Sequence, residues 1–213
     1  KFNVNAECIY NPLNVSEIIK LSKKQIKNNI TKNKYIIKII NIGRYVDQKD
    51  QITLLKAINV IKDKLKLELI MMGRGIFKNK FKNYIFENNL KNIVKLVNFQ
   101  KNPYPFIKNS NIFILSSKYE GLPNVLLEAI TLNKFVISSD CPTGPGEILS
   151  NGKGGLLFKT GDYKELANKI LYYAKNKKIC EKKLQYSRKQ LYRFSFNKNL
   201  IKYFNLINKY INQ

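Results

Sequence analysis

A regular alternation of short apolar runs with helix-like segments is the feature that most constrains this fold. From Tyr35 onward, apolar or β-branched runs are separated by segments whose leucines and isoleucines recur at helical spacing. Parallel strands need crossover connections, which place helices on both faces of a sheet. The sequence therefore predicts an α/β fold with one doubly wound parallel sheet of about six strands, at residues 35–42, 67–72, 93–99, 112–115, 135–139 and 155–158.

The two ends of the chain differ from this alternating block. Residues 1–33 contain one short apolar patch and a basic helical stretch, and we interpret them as an interdomain linker with a first helix. Residues 34–195 are the predicted domain. Residues 196–213 are predicted to form a terminal amphipathic helix, because apolar side chains recur there at helical spacing.

Composition excludes several classes of protein. The chain has 39 basic and 14 acidic residues, a net charge of +25, and no histidine, so it lacks the commonest general base and metal ligand. Few of the basic residues are arginines, which argues against a nucleic-acid reader, since Arg is favoured for phosphate and base contacts. The three cysteines have no metal-site spacing, and their usage fits a reducing compartment. We therefore expect a cytoplasmic protein, with an anionic membrane surface as a further candidate partner.

Ligands of doubly wound sheets gather at the carboxyl ends of the strands. Five segments directly follow predicted strands and so meet at that edge. They begin at Gly43, Gly73, Phe99, Ser116 and Asp140. The sequence predicts that the functional site lies along this edge.

The segment 116–129 is the most informative of the five. It carries two carboxylates, Glu120 and Glu128, around the start of a helix that Pro123 is expected to open. The first backbone amides of a helix lack carbonyl partners and attract phosphate. Carboxylates beside a phosphate need hydroxyl groups to accept from, and sugars supply them, so the pattern favours a nucleotide sugar. The alternative is that Glu120 is a solvated loop residue and Glu128 a first-turn residue that complements the helix dipole.

These residues resemble the donor-binding, C-terminal half of GT-B glycosyltransferases, specifically the large retaining family four, whose domains are Rossmann-like. The match runs from about Asn11 to the C-terminus. Five motifs are similar to those of the family and occur in the same order, at residues 41–49, 70–75, 97–100, 120–128 and 140–149. Their order makes the resemblance specific, since single motifs are weak.

The resemblance implies roles for individual residues. Arg44 and Lys49 would stabilise the leaving diphosphate, and Glu120 would contact hydroxyls of the transferred sugar. Glu128 would accept from the ribose hydroxyls. The other implied donor-binding residues are Gly43, Gly73, Phe99, Gln100, Gly121, Leu122, Pro123, Asn124 and Val125. Alternatives remain open: the cations are surface charges, Phe99 is a buried core aromatic, and Gly73 only ends a strand.

The resemblance also implies a reaction and its partners. The donor would be a nucleotide sugar, with UDP expected before GDP, transferred with retention to a polysaccharide or lipid-linked glycan. No cofactor and no metal are expected. The acceptor would be held by an N-terminal domain that precedes residue 1, and the terminal helix would cross back to it, so we expect the isolated chain to transfer little. Two alternatives stay open: a GT-B epimerase, and a nucleic-acid or membrane binding module driven by charge.

Overall fold

The computed structural model of the protein describes residues 7–25 and 35–211. Six parallel strands form one sheet: Ile37–Ile42 (β1), Leu67–Gly73 (β2), Val94–Asn98 (β3), Ile112–Leu115 (β4), Phe135–Ser139 (β5) and Leu156–Phe158 (β6). Their spatial order is β3-β2-β1-β4-β5-β6. β1 therefore lies inside the sheet, β2 and β3 extend it on one side, and β4, β5 and β6 extend it on the other. This confirms the predicted α/β fold and its doubly wound, Rossmann-like sheet.

Helices cover both faces of the sheet, as the crossover connections require. The helices in the described part of the chain are Val15–Ser22 (α1), Gln51–Ile61 (α2), Lys78–Glu87 (α3), Tyr104–Lys108 (α4), Asn124–Thr131 (α5), Pro145–Ile148 (α6), Tyr163–Lys175 (α7), Lys177–Gln190 (α8) and Phe196–Ile211 (α9).

The inner strands are mostly apolar because both of their faces are buried. Ile39 and Ile40, neighbours in β1, point into different hydrophobic clusters on opposite sides of the sheet. One cluster packs beneath α2, α3 and α7, and the other beneath α1, α4 and α5. A strand that lies between two cores has no solvent-facing side, so its residues are mostly apolar, and in β1 Lys38 and the buried Asn41 are the exceptions.

The first helix belongs to this domain. Leu13 and Ile18, which the predicted boundary at residue 34 leaves outside the domain, are buried with residues of α4 and α5. The backbone amide of Leu13 also donates to the carbonyl of Phe194, 2.9 Å away, which ties this segment to the 3-10 turn that follows α8. Burial of these two side chains joins residues 13–22 to the core of the sheet.

Of the two helices near the C-terminus, one was not predicted from the spacing of apolar residues and the other was. α8 has no counterpart in the sequence prediction, because only Cys180, Leu184 and Ser187 are buried along its fourteen residues. α9 is present and begins at Phe196, and most of its apolar residues are exposed in the described part of the chain: Phe204 is 57% exposed. Among the described helices, none is long and apolar enough to cross a membrane.

Candidate functional site

The parallel sheet brings the five predicted segments to one edge, at the carboxyl ends of β1 to β5. Gly43 follows β1, Gly73 ends β2, and Asn98, which is paired with Gly73, ends β3. On the other side of β1, the segment after β4 faces the loop after β5. The edge therefore forms a continuous row of loops in which the candidate residues are held.

Close backbone contact explains the glycine at the end of β2. A Cβ atom built on Gly73 would lie 1.9 Å from the carbonyl oxygen of Gly43, and real Cβ atoms do not approach so closely. The fully buried Tyr45 secures the same turn, because its hydroxyl donates to the carbonyl of Met71 at 2.7 Å and its amide to that of Arg74 at 2.8 Å. Gly73 thus does more than end a strand: it allows the loop that carries Arg44 to lie against β2.

Lys49 and Glu120 form a short ion pair at this edge. Lys49 Nζ lies 2.6 Å from Glu120 Oε1, and the Ser117 hydroxyl donates to the same oxygen at 2.6 Å. The side chains are 17% and 8% exposed, so water screens this pair less than it would a surface pair. The sequence prediction assigned both residues to the site but did not predict that they bind each other.

Backbone hydrogen bonds join the loop after β1 to the loop after β4. The amide of Lys118 donates to the carbonyl of Gln48 at 2.8 Å, and the Gln48 side chain donates back to the carbonyl of Tyr119 at 3.0 Å. The Ser116 hydroxyl donates to the carbonyl of Lys49 at 2.9 Å. The two loops therefore act as one unit, and the Lys49–Glu120 pair is held from both sides.

Arg44 is exposed at the same edge, and within the described ranges its guanidinium takes part in no ion pair. Its backbone is fixed by Gln51, a buried residue whose amide donates to the Arg44 carbonyl at 2.9 Å. Sequence reasoning missed Gln51, since a glutamine at the start of a helix carries no special signal. The result is a free cation on a rigid backbone.

The start of α5 differs in detail from the prediction. The helix begins at Asn124, and Pro123 precedes it in an extended conformation, so Pro123 is not the first helical residue. The first amide of this turn with a backbone acceptor is that of Leu126, which donates to the carbonyl of Pro123 at 3.0 Å. Among described residues, the amides of Asn124 and Val125 have no such partner and remain open to an anion.

The loop after β5 braces this helix start. Gly144 has a positive φ of 71°, and a Cβ there would lie 2.0 Å from the carbonyl oxygen of Gly121. The Thr143 hydroxyl donates to the Glu120 carbonyl. Only glycine at position 144 allows the two loops to approach so closely. Gly121 itself faces open space, since a Cβ there would have no neighbour within 4 Å.

Glu128 is half-buried on α5. Tyr104 on α4 donates its hydroxyl to Glu128 Oε1 at 3.4 Å, and burial raises the pKa of the Glu128 carboxyl although this hydrogen bond lowers it. Burial and the neighbouring carboxylate raise the pKa of Tyr104 to about 12. Glu128 is the fifth residue of α5, beyond the first turn, so it is not placed to complement the helix dipole. Tyr104 was absent from the prediction, because it comes from a distant part of the sequence.

Phe99 is exposed, so the alternative of a buried core aromatic is wrong. Its ring is 57% exposed, and the guanidinium of Arg74 lies 5.3 Å from the ring centre. The Gln100 side chain donates to the carbonyl of Asn98 at 3.3 Å. An exposed aromatic ring next to a strand end is a suitable surface for a planar ligand group.

Within residues 7–25 and 35–211, no group of three or more metal-binding side chains is found.

Comparison with known proteins identifies the family. The family model described as "Glycosyl transferases group 1" matches residues 22–190. The chain belongs to this family. Among curated members, an uncharacterized glycosyltransferase of Methanocaldococcus jannaschii is 45% identical over 144 residues, which are 64% of this chain and 35% of that protein. The N-acetylgalactosamine-N,N'-diacetylbacillosaminyl-diphospho-undecaprenol 4-alpha-N-acetylgalactosaminyltransferase of Campylobacter jejuni is 30% identical over 151 residues, 71% of this chain and 39% of that protein.

The fold of this glycosyl transferases group 1 chain agrees with solved structures. The S. aureus TarM structure in complex with Fondaparinux, alpha-GlcNAc-glycerol and UDP superposes with a TM-score of 0.81 at 23% identity, over 97% of this chain and 40% of that one. This likeness supports the GT-B assignment of the fold. The chain spans between 35% and 40% of the length of these three proteins.

Proposed function

We propose that this chain is the donor-binding half of a retaining glycosyltransferase that takes a UDP-sugar as donor. The observation that carries the proposal is the row of groups along one sheet edge: exposed Arg44, the Lys49–Glu120 pair, and the open start of α5. A diphosphate needs cations and free amides, whereas a sugar needs carboxylates. This edge offers both within two loops that are bonded to each other.

Arg44 and Lys49 are the proposed stabilisers of the leaving diphosphate. Its negative charge grows as the glycosidic bond breaks, so fixed cations lower the barrier, and losing one such group typically costs about a hundredfold in rate. Glu120 holds Lys49 in place and is the proposed acceptor for hydroxyls of the transferred sugar. Gly121, Leu122, Pro123, Asn124 and Val125 make up the proposed phosphate-binding turn.

Glu128 and Phe99 are proposed to bind the nucleoside. A half-buried carboxylate that already accepts one hydroxyl is suited to accept from a ribose. Phe99 and Gln100 lie beyond it at the end of β3 and are proposed to contact the base, with Gly43 and Gly73 setting the backbone between them. UDP in the TarM structure supports the choice of nucleotide.

The acceptor is proposed to be a polysaccharide or a lipid-linked glycan. The Campylobacter relative is named for transfer to a diphospho-undecaprenol glycan, which supports a lipid-linked acceptor. A second, N-terminal domain is proposed to bind that acceptor, and no metal or other cofactor is proposed for the reaction. The proposed location is cytoplasmic, with peripheral attachment to an anionic membrane surface.

Calorimetry with UDP, GDP and ADP tests the donor site. We expect UDP to bind, and we expect Arg44→Ala and Glu128→Gln each to weaken binding about tenfold, the value of one charge-assisted hydrogen bond. Arg188→Ala is the matched control, because Arg188 is an exposed arginine of α8 and lies away from the sheet edge. Its affinity for UDP should equal that of the wild type.

Three outcomes contradict the proposal. If no nucleotide binds, this edge is not a donor site. If Arg188→Ala weakens binding as much as Arg44→Ala does, the attraction is a general effect of the +25 charge. Binding that vanishes in modest salt and does not distinguish UDP from the other nucleotides would instead favour a charge-driven module.

A further inference from the structure

A second concave site lies at the opposite end of the strands, on the side where their amino ends meet. A cavity of about 230 Å³ opens where β4 and β5 begin and is closed on its other side by α7 and α8. The length of β5, about 15 Å at the usual rise per residue, separates this edge from the candidate donor site. We call it the amino-edge cavity. Its polar lining includes Asn111, Asn133, Lys134 and Lys177.

Lys134 is half-buried at this cavity without an acidic partner. Burial, with help from the nearby charges of Lys108 and Lys38, lowers the pKa of Lys134 to about 8. All 14 acidic residues of the chain lie in the described ranges, and none of them forms an ion pair with Lys134. Glu181 lines the cavity but is exposed. The chain therefore buries a cationic amine that its own carboxylates do not neutralise, which is costly.

The rest of the lining offers donors for an anion. Lys177 Nζ is held 3.7 Å from the ring centre of Tyr173, which fixes a second amine at the cavity. Lys177 is also the first residue of α8, where the helix dipole is positive. Asn111 Oδ1 already accepts from the backbone amide of Lys38 at 2.8 Å, so the Nδ2 group is the end of this side chain left to donate.

We propose that the amino-edge cavity binds the phosphate group of a small phosphorylated ligand, with Lys134 and Lys177 as its cationic contacts. The proposal does not depend on the donor site, since the two sites lie at opposite ends of the strands. A phosphate would supply the negative charge that Lys134 lacks within the chain. It would also accept from the amide groups at the cavity mouth.

The test is a titration of the isotope-labelled chain with inorganic phosphate, followed residue by residue by amide NMR, with sodium chloride at equal ionic strength as the blank. We expect phosphate to shift the amides of residues 133–135 and of the first turn of α8. Lys134→Met and Lys177→Met should each weaken this binding about tenfold. Lys164→Met is the matched control, because Lys164 is an exposed residue at the far end of α7 and does not line the cavity.

Each outcome of the titration either supports the phosphate site or contradicts it. Loss of the shifts in both cavity variants, with wild-type binding in Lys164→Met, supports the site. Having two cavity variants guards against one that fails to fold, and a dispersed amide spectrum identifies a folded chain. The proposal is overturned if phosphate shifts only the residues near Arg44 and Gly121, if the cavity variants bind as the wild type does, or if Lys164→Met loses as much affinity as they do.

Discussion

Removing Lys49 alone from the Lys49–Glu120 ion pair should destabilise the protein more than removing both partners. At 2.6 Å and an effective dielectric constant of about 20, the gross attraction is about 6 kcal/mol, of which desolvation cancels a large part. Lys49→Met would leave the nearly buried carboxylate of Glu120 with the Ser117 hydroxyl as its remaining partner. We expect this change to cost about 3 kcal/mol, the lower end of the range for broken buried pairs.

The other variants complete a double-mutant cycle. Glu120→Gln leaves Lys49 unpaired, but this side chain is the more exposed of the two, so the expected cost is about 2 kcal/mol. The double variant leaves no uncompensated charge and should also cost about 2 kcal/mol. The coupling energy between the two positions is then about 3 kcal/mol.

Urea denaturation measures these values. The chain has no tryptophan, so far-UV circular dichroism is the appropriate signal. A loss of 3 kcal/mol should lower the urea midpoint by about 1 M or more. Lys118→Met is the matched control, because its partner Asp47 is 71% exposed, and a surface pair of this kind is worth less than about 1 kcal/mol. A coupling energy below about 0.5 kcal/mol would refute the view that this pair holds the two loops together.

Three further predictions concern the close backbone contact at Gly73, the buried charge of Lys134 and the cap of α7. Gly73→Ala should lower the free energy of unfolding by about 1–3 kcal/mol and weaken UDP binding, since its Cβ would collide with the Gly43 carbonyl. Gly121→Ala, whose Cβ would meet no neighbour, is the control and should change the free energy of unfolding little. Equal effects of the two substitutions would contradict this explanation. Lys134→Met should raise the free energy of unfolding at about pH 7 by about 1–3 kcal/mol, because it removes a buried charge. This gain should shrink as pH rises from about 8 to 10.5, because over that range Lys134 of the wild type loses its proton in the folded chain before it does in the unfolded chain. An unchanged difference across that pH range would refute the lowered pKa. Asp162→Ala should cost about 1 kcal/mol in thermal or urea melts, because its carboxylate caps α7 at 2.8 Å, and no loss would show that the cap is dispensable.

Strand positions were predictable because the inner strands of the sheet are buried on both faces. All six strands were located within two residues at each end, since a short, mostly apolar run between turn residues has few other interpretations. α8 was missed for the opposite reason. Its fourteen residues bury only Cys180, Leu184 and Ser187, and the lysines around them hide the periodicity.

The candidate site was partly predictable. The rule that ligands gather at the carboxyl ends of parallel strands pointed to the segments with Arg44 and Glu120, and the family resemblance implied Arg44, Lys49 and Glu120 as site residues, without any knowledge of their contacts. The partners of these residues were not predictable. Gln51 holds the backbone of Arg44, and Ser117 holds Glu120, through hydrogen bonds that no spacing in the sequence indicates.

The sequence by itself determined the class of fold, the edge at which the candidate site lies, and the residue types placed there, because the periodicity of helices and strands follows from local patterns of burial. Only the tertiary structure decided which of these residues bind each other. Lys49 and Glu120 are 71 positions apart and meet because β1 and β4 are neighbours in the sheet. The unneutralised charge of Lys134 likewise became visible only once its surroundings were known. Pairing and burial depend on distances between segments remote in sequence, and only the folded chain sets those distances.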